Sequence, residues 1–425
     1  MIDQSTLNQA CRDTLALVLA GGRGSRLKQL TDNQSKPAVP FGGKFRIIDF
    51  PLSNCLNSNI RRISVLTQYK AHSLIKHIQR GWNFLNAEFG EFVELWPAQQ
   101  QTDKEVWYQG TADAVYQNIE MIREHNPRYI LILAGDHIYK QDYSKMLKQH
   151  MELGAKVTVS CVEVPIQTAT GFGCVGADDD FNIISFVEKP KNPPAIPGNP
   201  DKAYASMGIY IFDADFLIDL LEKDAIRKDS SHDFGKDILP SLVGNVKMIA
   251  HPFPDSCVYN KTDDAYWRDV GTLDAYWAAN IDLTNVVPDL DLYDSHWPIW
   301  TYQQQLPAAK FVFESELRTG MAVKSLISAG CIISGATVRR SLLFSNVRVH
   351  SFALIEDSVV LTNTVINRHA RLKKVILAEG CVVPRGLVIG EDAEADARYF
   401  YRTAGGVTLV TPEMLKAVPV REESY

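Results

Sequence analysis

The strongest chemical signal in the 425-residue sequence is a glycine-rich loop that directly follows a short apolar run. Glycines let the backbone come close to a ligand, and consecutive free N–H groups there bind phosphate oxygens. Arg23 and Arg26 add charge-assisted donors to the same loop. The loop matches neither the dinucleotide pattern G-x-G-x-x-G nor the P-loop pattern G-x-x-x-x-G-K-[ST]. It therefore predicts a phosphate site of another kind, with an ordinary tight turn as the alternative.

Four further charged residues, spread along the chain, could complete such a site: Lys36, Asp136, Lys189 and Asp269. Mg²⁺ prefers oxygen ligands and is often held by one or two carboxylates together with substrate phosphates. Two separated aspartates with several cations therefore suit a magnesium-dependent phosphoryl or nucleotidyl transfer. Other interpretations stay open, since Asp136 could cap a helix and Lys189 could be a solvated surface charge. We expect His137 to orient its neighbours rather than to bind metal, because no second histidine lies at ligand spacing.

The composition is that of a soluble globular protein, with 46% hydrophobic and 22% charged residues. The net charge of −6 argues against nucleic acid as a partner, and no apolar run is long enough to span a membrane. Between residues 23 and 62, however, eight lysines and arginines stand against two acids, a local charge of +6. A solvated basic face would explain this excess, but beside a glycine loop an anionic small-molecule substrate is the better interpretation. Seven cysteines without a C-x-x-C pair, and no secretory signal, predict reduced thiols and a cytoplasmic location.

Short apolar runs alternate with amphipathic stretches over roughly the first 285 residues. The runs at 15–19, 63–66, 129–133, 157–162 and 209–212 predict strands, and the stretches at 112–124 and 143–153 predict helices. This alternation is typical of an α/β layer with a largely parallel sheet, in which ligands bind at the carboxyl ends of the strands. The glycine loop and Asp136 each follow a predicted strand, so we expect both at the same edge of the sheet.

From about residue 321 the helical pattern gives way to aliphatic residues that recur every six positions. The series are Leu343, Val349, Ile355 and Leu361; Val360, Ile366 and Leu372; and Ile376, Val382 and Val388. A six-residue period is typical of a hexapeptide β-helix, with a set of hairpins as the alternative, and such a coil commonly serves assembly. We predict a catalytic domain over residues 1–285, a linker packed by aromatic residues over 286–320, and the β-helix over 321–425.

Several segments together are particular to one family. They are LAGGRGSRL at 19–27, the pair Lys36-Pro37, FGGKFRIIDF at 41–50, WYQGTADAV at 107–115, AGDHIY at 134–139, FVEKP at 186–190, ASMGIY at 205–210 and WRDVGT at 267–272. In these segments, and over nearly its whole length, the sequence resembles the bacterial glucose-1-phosphate adenylyltransferases (ADP-glucose pyrophosphorylases). The glycine loop is common to all sugar-nucleotide pyrophosphorylases, whereas FGGKFRIIDF and WYQGTADAV belong to the glucose adenylyl branch.

The resemblance implies a Rossmann-like nucleotidyltransferase domain with a mixed, mostly parallel sheet, followed by a left-handed parallel β-helix. It implies the reaction of ATP with α-D-glucose 1-phosphate to give ADP-glucose and pyrophosphate, the committed step of glycogen synthesis, with Mg²⁺ as cofactor and a homotetramer as the assembly. The implied ATP site comprises Leu19, Ala20, Gly21, Gly22, Arg23, Gly24, Ser25, Gln109 and Gly110. The implied glucose 1-phosphate site comprises Tyr108, Gly173, Glu188, Lys189, Ser206, Asp233 and Trp267. Arg26, Lys36 and Asp136 would be catalytic, and Asp136 and Asp269 would bind the metal.

The resemblance also implies a regulatory pocket, in which family members bind an activating sugar bisphosphate and inhibitory AMP between the two domains. Two of its basic positions are cations here, Arg46 and Lys416. The others have lost their charge or reversed it: Asn33, Pro40, Glu124, Glu379 and Pro412. Charged hydrogen bonds contribute about 1.5–3 kcal/mol each, so we expect a competent enzyme with a weak or altered response to fructose 1,6-bisphosphate.

Two alternatives to this function stay open. A sibling enzyme could use UTP or dTTP with the same glycine loop, because the sequence does not display the contacts that select the base. The chain could also be a non-catalytic regulatory subunit. The joint presence of Lys36, Asp136, Lys189 and Asp269 argues against the second alternative, since a non-catalytic copy has no reason to keep metal ligands.

Overall fold

The chain folds into an α/β layer that continues into a coil of short parallel strands. The structure, a computed structural model, describes residues 2–22, 24–68, 70–98, 107–258, 265–315 and 318–419. The helices of the α/β layer are α1 (Gln4–Arg12), α2 (Asp49–Asn57), α3 (His72–Gly81), α4 (Thr111–Tyr116), α5 (Ile119–His125), α6 (Tyr143–Leu153), α7 (Ile166–Ala169), α8 (Ala214–Ala225), α9 (Leu239–Leu242) and α10 (Leu273–Asp282). The strands are β1 (Thr14–Leu19), β2 (Pro40–Phe41), β3 (Phe45–Arg46), β4 (Arg62–Thr67), β5 (Phe92–Pro97), β6 (Tyr129–Ala134), β7 (Ile138–Tyr139), β8 (Val157–Pro165), β9 (Gly173–Ala177), β10 (Ile183–Glu188), β11 (Lys202–Asp213), β12 (Met248–Pro252) and β13 (Trp267–Arg268).

One mixed sheet forms the centre of the layer. Its order is β10-β9-β11-β6-β1-β4-β5, and β8 pairs with both β11 and β12. Strand β1 pairs in parallel with β4 and β6, whereas β11 runs antiparallel to β6, β8 and β9. The predicted strands and the mixed α/β sheet are thus confirmed. Because β1 and β6 are parallel neighbours, their carboxyl ends lie side by side at one edge.

The sheet is covered on both faces, as the uninterrupted apolar run of β1 requires. Ala16 and Val18 belong to the core on one face, which α1, α2, α3 and α6 help to close. Leu15 and Leu17 belong to the core on the other face, with residues of α4, α5, α8 and α9. The alternation of side chains along a strand places successive residues of β1 in these two cores.

The predicted helix over 112–124 is two helices in the structure, α4 and α5. The break lies at Asn118, whose side-chain amide donates to the carbonyl of Ala114 at 2.8 Å and to the hydroxyl of Tyr108 at 3.2 Å. Asparagine competes with the helix in this way because its side chain offers local backbone groups another partner. The predicted helix over 143–153 is confirmed as α6, which Asp142 caps at its start and Gly154 ends in a left-handed conformation.

The C-terminal coil consists of three stacked parallel sheets, β14-β19-β22-β25-β28, β17-β20-β23-β26-β29 and β18-β21-β24-β27-β31. Its elements are β14 (Lys310–Val312), β15 (Glu314–Ser315), β16 (Arg318–Thr319), β17 (Met321–Val323), β18 (Leu326–Ile327), β19 (Ile332–Ser334), β20 (Thr337–Arg339), β21 (Leu342–Leu343), β22 (Arg348–Val349), β23 (Leu354–Glu356), β24 (Val359–Val360), β25 (Val365–Ile366), β26 (Arg371–Lys373), β27 (Val375–Leu377), β28 (Val382–Val383), β29 (Val388–Ile389), α11 (Ala393–Ala397), β30 (Tyr401–Arg402), β31 (Thr408–Val410) and α12 (Pro412–Lys416). Strand β14 pairs with β19, although it falls inside the stretch assigned to the linker. The domain boundaries stay a prediction.

The predicted β-helix is confirmed, and one of its repeat series was wrong. Val382 and Val388 are exposed, whereas the next residues, Val383 and Ile389, are fully buried. Leu377, Val383 and Ile389 keep the six-residue count within the coil's own core, whereas Ile376 is buried in the core shared with the α/β layer. The third series therefore started one residue too early, because two adjacent aliphatic residues, Ile376 and Leu377, are both buried there.

The α/β layer and the coil share one core. Helix α10 contributes Tyr276, Ala279 and Ile281 to this core, where they are buried together with coil residues such as Leu342 and Val359. The indole N–H of Trp277 donates to the carbonyl of Asp357 at 2.6 Å. In the described part of the chain, we find no helix with the length and apolarity needed to cross a membrane.

Candidate active site

Two loops at the carboxyl ends of β1 and β6 form the base of the site. The backbone N–H of Gly135, directly after β6, donates to the carbonyl of Leu19 at 3.1 Å. A Cβ on residue 135 would lie 3.0 Å from that same oxygen. Glycine at 135 therefore lets the two loops touch, which places Asp136 beside the glycine loop.

Lys36 lies between two carboxylates from distant parts of the sequence. Its Nζ is 3.0 Å from Oδ2 of Asp136 and 2.6 Å from Oδ1 of Asp269, and only 5% of its side chain is exposed. Burial lowers the pKa of Lys36, but the two carboxylates outweigh burial and hold the pKa above its ordinary value. Arg26 is mostly exposed, with Nη2 3.5 Å from Oδ2 of Asp269. The structure thus brings together four of the residues predicted to be catalytic or metal-binding.

A short antiparallel ribbon sets the separation of the two carboxylates. Strands β7 and β13 pair with Trp267 opposite Tyr139. Asp136 lies just before β7, and Asp269 directly follows β13. The ring of His137 packs edge-on against the indole of Trp267, with 4.9 Å between the ring centroids. Both carboxylates are therefore carried by one paired element.

The oxygen and nitrogen donors at this point fit a divalent metal ion. Asp136, His137 and Asp269 each offer one ligand atom, and these atoms lie within 4.8 Å of one another. Burial acts to raise the pKa of Asp136, but His137 and Lys36 outweigh it and keep the pKa below its ordinary value. Within the described ranges, Nδ1 of His137 is buried without a hydrogen-bond partner. Carboxylate oxygens suit a hard divalent cation, so the donor set is chemically consistent with the predicted metal site.

A second charged pair follows at the end of β10. Nζ of Lys189 is 2.9 Å from Oε1 of Glu188, and Lys189 is mostly exposed in a left-handed conformation. A Cβ on Gly173 or on Gly235 would lie 2.8 or 2.9 Å from Oε2 of Glu188. The two glycines therefore leave room for the carboxylate, and the exposed ammonium group is accessible to an anion.

The remaining residues of the predicted sugar site occupy different environments. The Ser206 hydroxyl is 3.4 Å from the Tyr210 hydroxyl, so the two are in weak contact. The Tyr108 hydroxyl accepts from Asn118, and burial raises the pKa of Tyr108. Trp267 is only 7% exposed and packs against His137, so it supports the neighbouring Asp136 rather than forming an open surface.

Most of the predicted ATP residues lie on the glycine loop. Gly24 has a φ of 61°, and a Cβ there would come within 2.8 Å of the Cβ of Lys36. This close approach and the left-handed backbone both favour glycine, and they place the loop against Lys36. Leu19 is the last residue of β1, Ala20, Gly21 and Gly22 follow in the loop, and Ser25 begins the helical turn after it. Arg23 lies outside the described residues.

Gln109 and Gly110 precede α4, and Gly110 lies against the segment around residue 232. The backbone N–H of Gln109 donates to Oδ2 of Asp113 at 2.8 Å. A Cβ on Gly110 would overlap the carbonyl oxygens of Ser231 and His232. This segment was not singled out from the sequence as a partner of the predicted nucleotide residues, although Asp233 itself was predicted.

Sequence reasoning also missed Gly271. A Cβ at this position would lie 2.8 Å from Nη2 of Arg26 and 2.9 Å from Oδ1 of Asp269. Glycine therefore leaves the space in which these two side chains meet. The signal was present in the WRDVGT segment, where one residue separates this glycine from Asp269, the predicted metal ligand.

The two retained cations of the implied regulatory pocket have different surroundings. Nη1 of Arg46 donates to the carbonyl of Ala38 at 2.5 Å and lies 3.4 Å from Oε1 of Gln34. Burial lowers the pKa of Arg46, although Asp49 and Glu379 act in the opposite direction. Lys416 is the last residue of α12 and is exposed. Arg46 is thus already bound to the backbone near Lys36, whereas Lys416 faces solvent.

Comparison with known proteins places this geometry in a family. A family model described as nucleotidyl transferase matches residues 15–286, and one described as GlmU-like, C-terminal hexapeptide matches residues 307–410. The glucose-1-phosphate adenylyltransferase of Rhodospirillum rubrum is 64% identical over 413 residues, which cover 97% of this chain and 98% of that protein. Proteins of the same name from Paramagnetospirillum magneticum and Dechloromonas aromatica are 63% and 59% identical, covering 96% and 97% of this chain and 96% and 94% of theirs.

These matches confirm the predicted fold class, a nucleotidyltransferase domain followed by a β-helix of hexapeptide repeats. They extend over almost the full length of the chain at high identity. The chain belongs to the glucose-1-phosphate adenylyltransferase family.

Proposed function

We propose that the chain transfers the adenylyl group of ATP to α-D-glucose 1-phosphate and releases pyrophosphate and ADP-glucose. The observation that carries this function is the position of Lys36 between Asp136 and Asp269 beside the glycine loop. A cation held by two carboxylates at a phosphate-binding loop is suited to the transfer of a phosphoryl-type group. The family membership supports ATP and glucose 1-phosphate as the substrates.

The chemistry is a displacement at the α-phosphorus of ATP. A phosphate oxygen of glucose 1-phosphate forms a bond to this phosphorus, and the bond from the α-phosphorus to the bridging oxygen breaks, so that pyrophosphate leaves with the electron pair. The sugar phosphate is already ionised at neutral pH, so no general base is required. The protein contributes alignment and electrostatic stabilisation.

Each charged residue has a distinct task in this proposal. The glycine loop with Arg26 and Lys36 holds the triphosphate and stabilises the charge that develops during transfer. Lys189 binds the phosphate of the sugar, and Glu188 orients Lys189 through the 2.9 Å contact between their side chains. Asp136 and Asp269 would hold Mg²⁺, which when bound neutralises charge on the phosphate oxygens.

A nucleotide panel tests the reaction and the choice of base. The purified chain is incubated with glucose 1-phosphate, Mg²⁺ and ATP, UTP or dTTP in turn, and pyrophosphate release and the sugar nucleotide formed are measured. We expect ADP-glucose from ATP and little product from the other two. Preferential use of UTP or dTTP would identify the sibling enzyme, and no product from any nucleotide would indicate a non-catalytic subunit.

One substitution tests the proposed role of Asp136 as a magnesium ligand. Asp136→Asn keeps the size of the side chain but removes its charge, and we expect turnover with Mg²⁺ to fall by at least about 100-fold. Asp179→Asn, at an exposed position, is the matched control and is expected to keep normal turnover. Near-normal, magnesium-dependent activity of Asp136→Asn would overturn the assignment.

We also propose that the enzyme assembles as a homotetramer in the cytoplasm and responds weakly to fructose 1,6-bisphosphate. The loss of basic residues at five positions and the commitment of Arg46 to the Ala38 carbonyl support weak binding of a bisphosphate. The test is the initial rate at increasing fructose 1,6-bisphosphate, with the molar mass measured by light scattering. Strong activation at micromolar concentrations would contradict the regulatory proposal.

A further inference from the structure

The start of α4 is joined directly to the segment that contains Asp233. The backbone N–H groups of Ala112 and Asp113 both donate to the carbonyl of His232, at 2.9 and 3.2 Å. Gly110 approaches the same carbonyl so closely that no other residue would fit without movement. Two N–H groups at the start of α4, which lack partners within the helix, thus bond to His232. The residue before the helix, Gly110, has no side chain that could cap them.

The Thr111 hydroxyl makes the side-chain part of this junction. It donates to Oδ2 of Asp233 at 3.1 Å and accepts from the backbone N–H of Phe234 at 3.0 Å. Oδ1 of Asp233 accepts from the N–H groups of Gly235 and Lys236, at 3.0 and 3.1 Å. Both oxygens of the carboxylate are therefore oriented, one of them by Thr111.

The junction continues to the charged pair at the end of β10. Asp233 begins the helical turn Phe234–Ile238, and a Cβ on Gly235 would lie only 2.9 Å from Oε2 of Glu188. Glu188 in turn contacts the ammonium group of Lys189. A continuous set of contacts therefore runs from the residues before α4, through Thr111 and Asp233, to Glu188 and Lys189.

We propose that Thr111 is a positioning residue that couples the binding of the two substrates. The inference rests on the proposed function and on the site residues that the family resemblance implies, with Gln109 and Gly110 at ATP and with Asp233, Glu188 and Lys189 at glucose 1-phosphate. When ATP binds at Gln109 and Gly110, the Thr111 hydroxyl holds Asp233 and the turn after it in the conformation that binds the sugar phosphate. Because coupling between two binding sites is reciprocal, glucose 1-phosphate strengthens the binding of ATP by the same factor.

Calorimetric titration of the full chain measures this coupling without turnover. The probe is glucose 1-phosphate, titrated with Mg²⁺ present, in the absence or presence of saturating α,β-methylene-ATP, whose α–β bridge cannot be cleaved in the transfer. We expect the dissociation constant of glucose 1-phosphate to fall at least about 5-fold when the analogue is bound, the lower range of typical coupling. In Thr111→Val, which keeps the shape and loses the hydroxyl, we expect this ratio to approach 1.

Three further variants separate positioning from stability. Thr111→Ser keeps a hydroxyl and is expected to retain most of the coupling. Thr319→Val removes an exposed hydroxyl that donates to the Ser315 carbonyl at 2.9 Å in the coil, and is expected to leave the coupling unchanged. If Thr111→Val does not fold, Thr111→Ala takes its place in the comparison with Thr111→Ser.

With ATP and glucose 1-phosphate, we expect the hydroxyl-less variants to show raised KM values for both substrates with a smaller change in kcat.

The outcomes distinguish the inference from the proposed function. Equal coupling ratios in the wild type and the hydroxyl-less variant, or no coupling in a wild type that makes ADP-glucose, overturn the role of Thr111 alone. A wild type that forms no ADP-glucose and binds neither ligand overturns the proposed function as well. Restoration of coupling by serine but not by alanine or valine supports the positioning role.

Discussion

At the scale of single residues, Lys36 is the group on which the site depends most. Replacing it with methionine keeps the length of the side chain and removes the ammonium group that lies between Asp136 and Asp269. We expect turnover of Lys36→Met to fall at least about 100-fold, the effect of losing one preorganised electrostatic contact. Initial rates of pyrophosphate release at saturating substrates measure the loss. Lys76→Met, at an exposed position on α3, is the control, and a Lys36→Met variant as active as this control would contradict the role.

A second residue-scale prediction concerns acid stability. Burial lowers the pKa of His251 to about 4, and its ring nitrogens contact Gln149 and Ser256 at 2.6 and 2.8 Å. The unfolded chain binds a proton at His251 below about pH 6.5, whereas the folded chain does so only near pH 4. The free energy of unfolding therefore decreases as the pH falls from 6.5 to 4, by up to about 3 kcal/mol from this residue.

Urea unfolding at several pH values measures that contribution. We expect His251→Gln to have a flatter dependence of unfolding free energy on pH between 6.5 and 4 than the wild type. His296→Gln, at an exposed position, should keep the wild-type slope. Parallel pH profiles for the wild type and His251→Gln would show that another group controls acid unfolding.

At the scale of elements, the carboxylate of Asp49 joins α2, α3 and the segment after α10. Its fully buried oxygens accept from Nε2 of His77 at 2.6 Å, Nε1 of Trp82 at 3.0 Å and Oγ1 of Thr301 at 2.7 Å. The backbone N–H of Arg46 also donates to this carboxylate, at 2.8 Å. We expect Asp49→Ala to lower the free energy of unfolding by about 3 kcal/mol, because four donors, of which His77 and Trp82 are buried, lose their partner. Denaturant unfolding measures the change, with the exposed Asp179→Ala as control. A change below about 0.5 kcal/mol would mean that these donors find other partners.

The elements also show what the sequence could and could not predict. The strand ends carrying the glycine loop and Asp136 were predictable, because uninterrupted apolar runs of strand length bounded by glycine are a local signal. The pairing of β7 with β13 was not predictable, since two-residue strands carry no periodicity and these two lie far apart in the sequence, at 138–139 and 267–268. The contact of Thr111 with Asp233 was missed because the two residues are far apart in the sequence. The break at Asn118 was missed because it depends on a single side-chain amide, which donates to the Ala114 carbonyl.

At the scale of the whole molecule, the α/β layer and the β-helix are held together by a common core rather than by surface contacts. Leu342 and Val359 of the coil are fully buried in the same cluster as Tyr276 of α10. Trp277 donates to the Asp357 carbonyl, and Nζ of Lys374 lies 4.9 Å from the centre of the Trp277 ring. Separating the two parts would expose this apolar surface to water, which is unfavourable in proportion to its area.

We therefore expect the full chain to unfold in one thermal transition. Leu342→Ala removes side-chain volume from the shared core, and Leu372→Ala removes the same volume from the coil's own core. Each is expected to cost about 2–5 kcal/mol and to move the single transition to lower temperature. Calorimetry, with pyrophosphate release measured after heating, tests whether the active site is lost in the same transition. If the two parts were independent, Leu372→Ala would shift only a separate coil transition and leave the thermal loss of activity unchanged. We expect a common transition instead, because unfolding of the coil uncovers the side of α10 that packs on it, and α10 follows directly on the segment that carries Asp269.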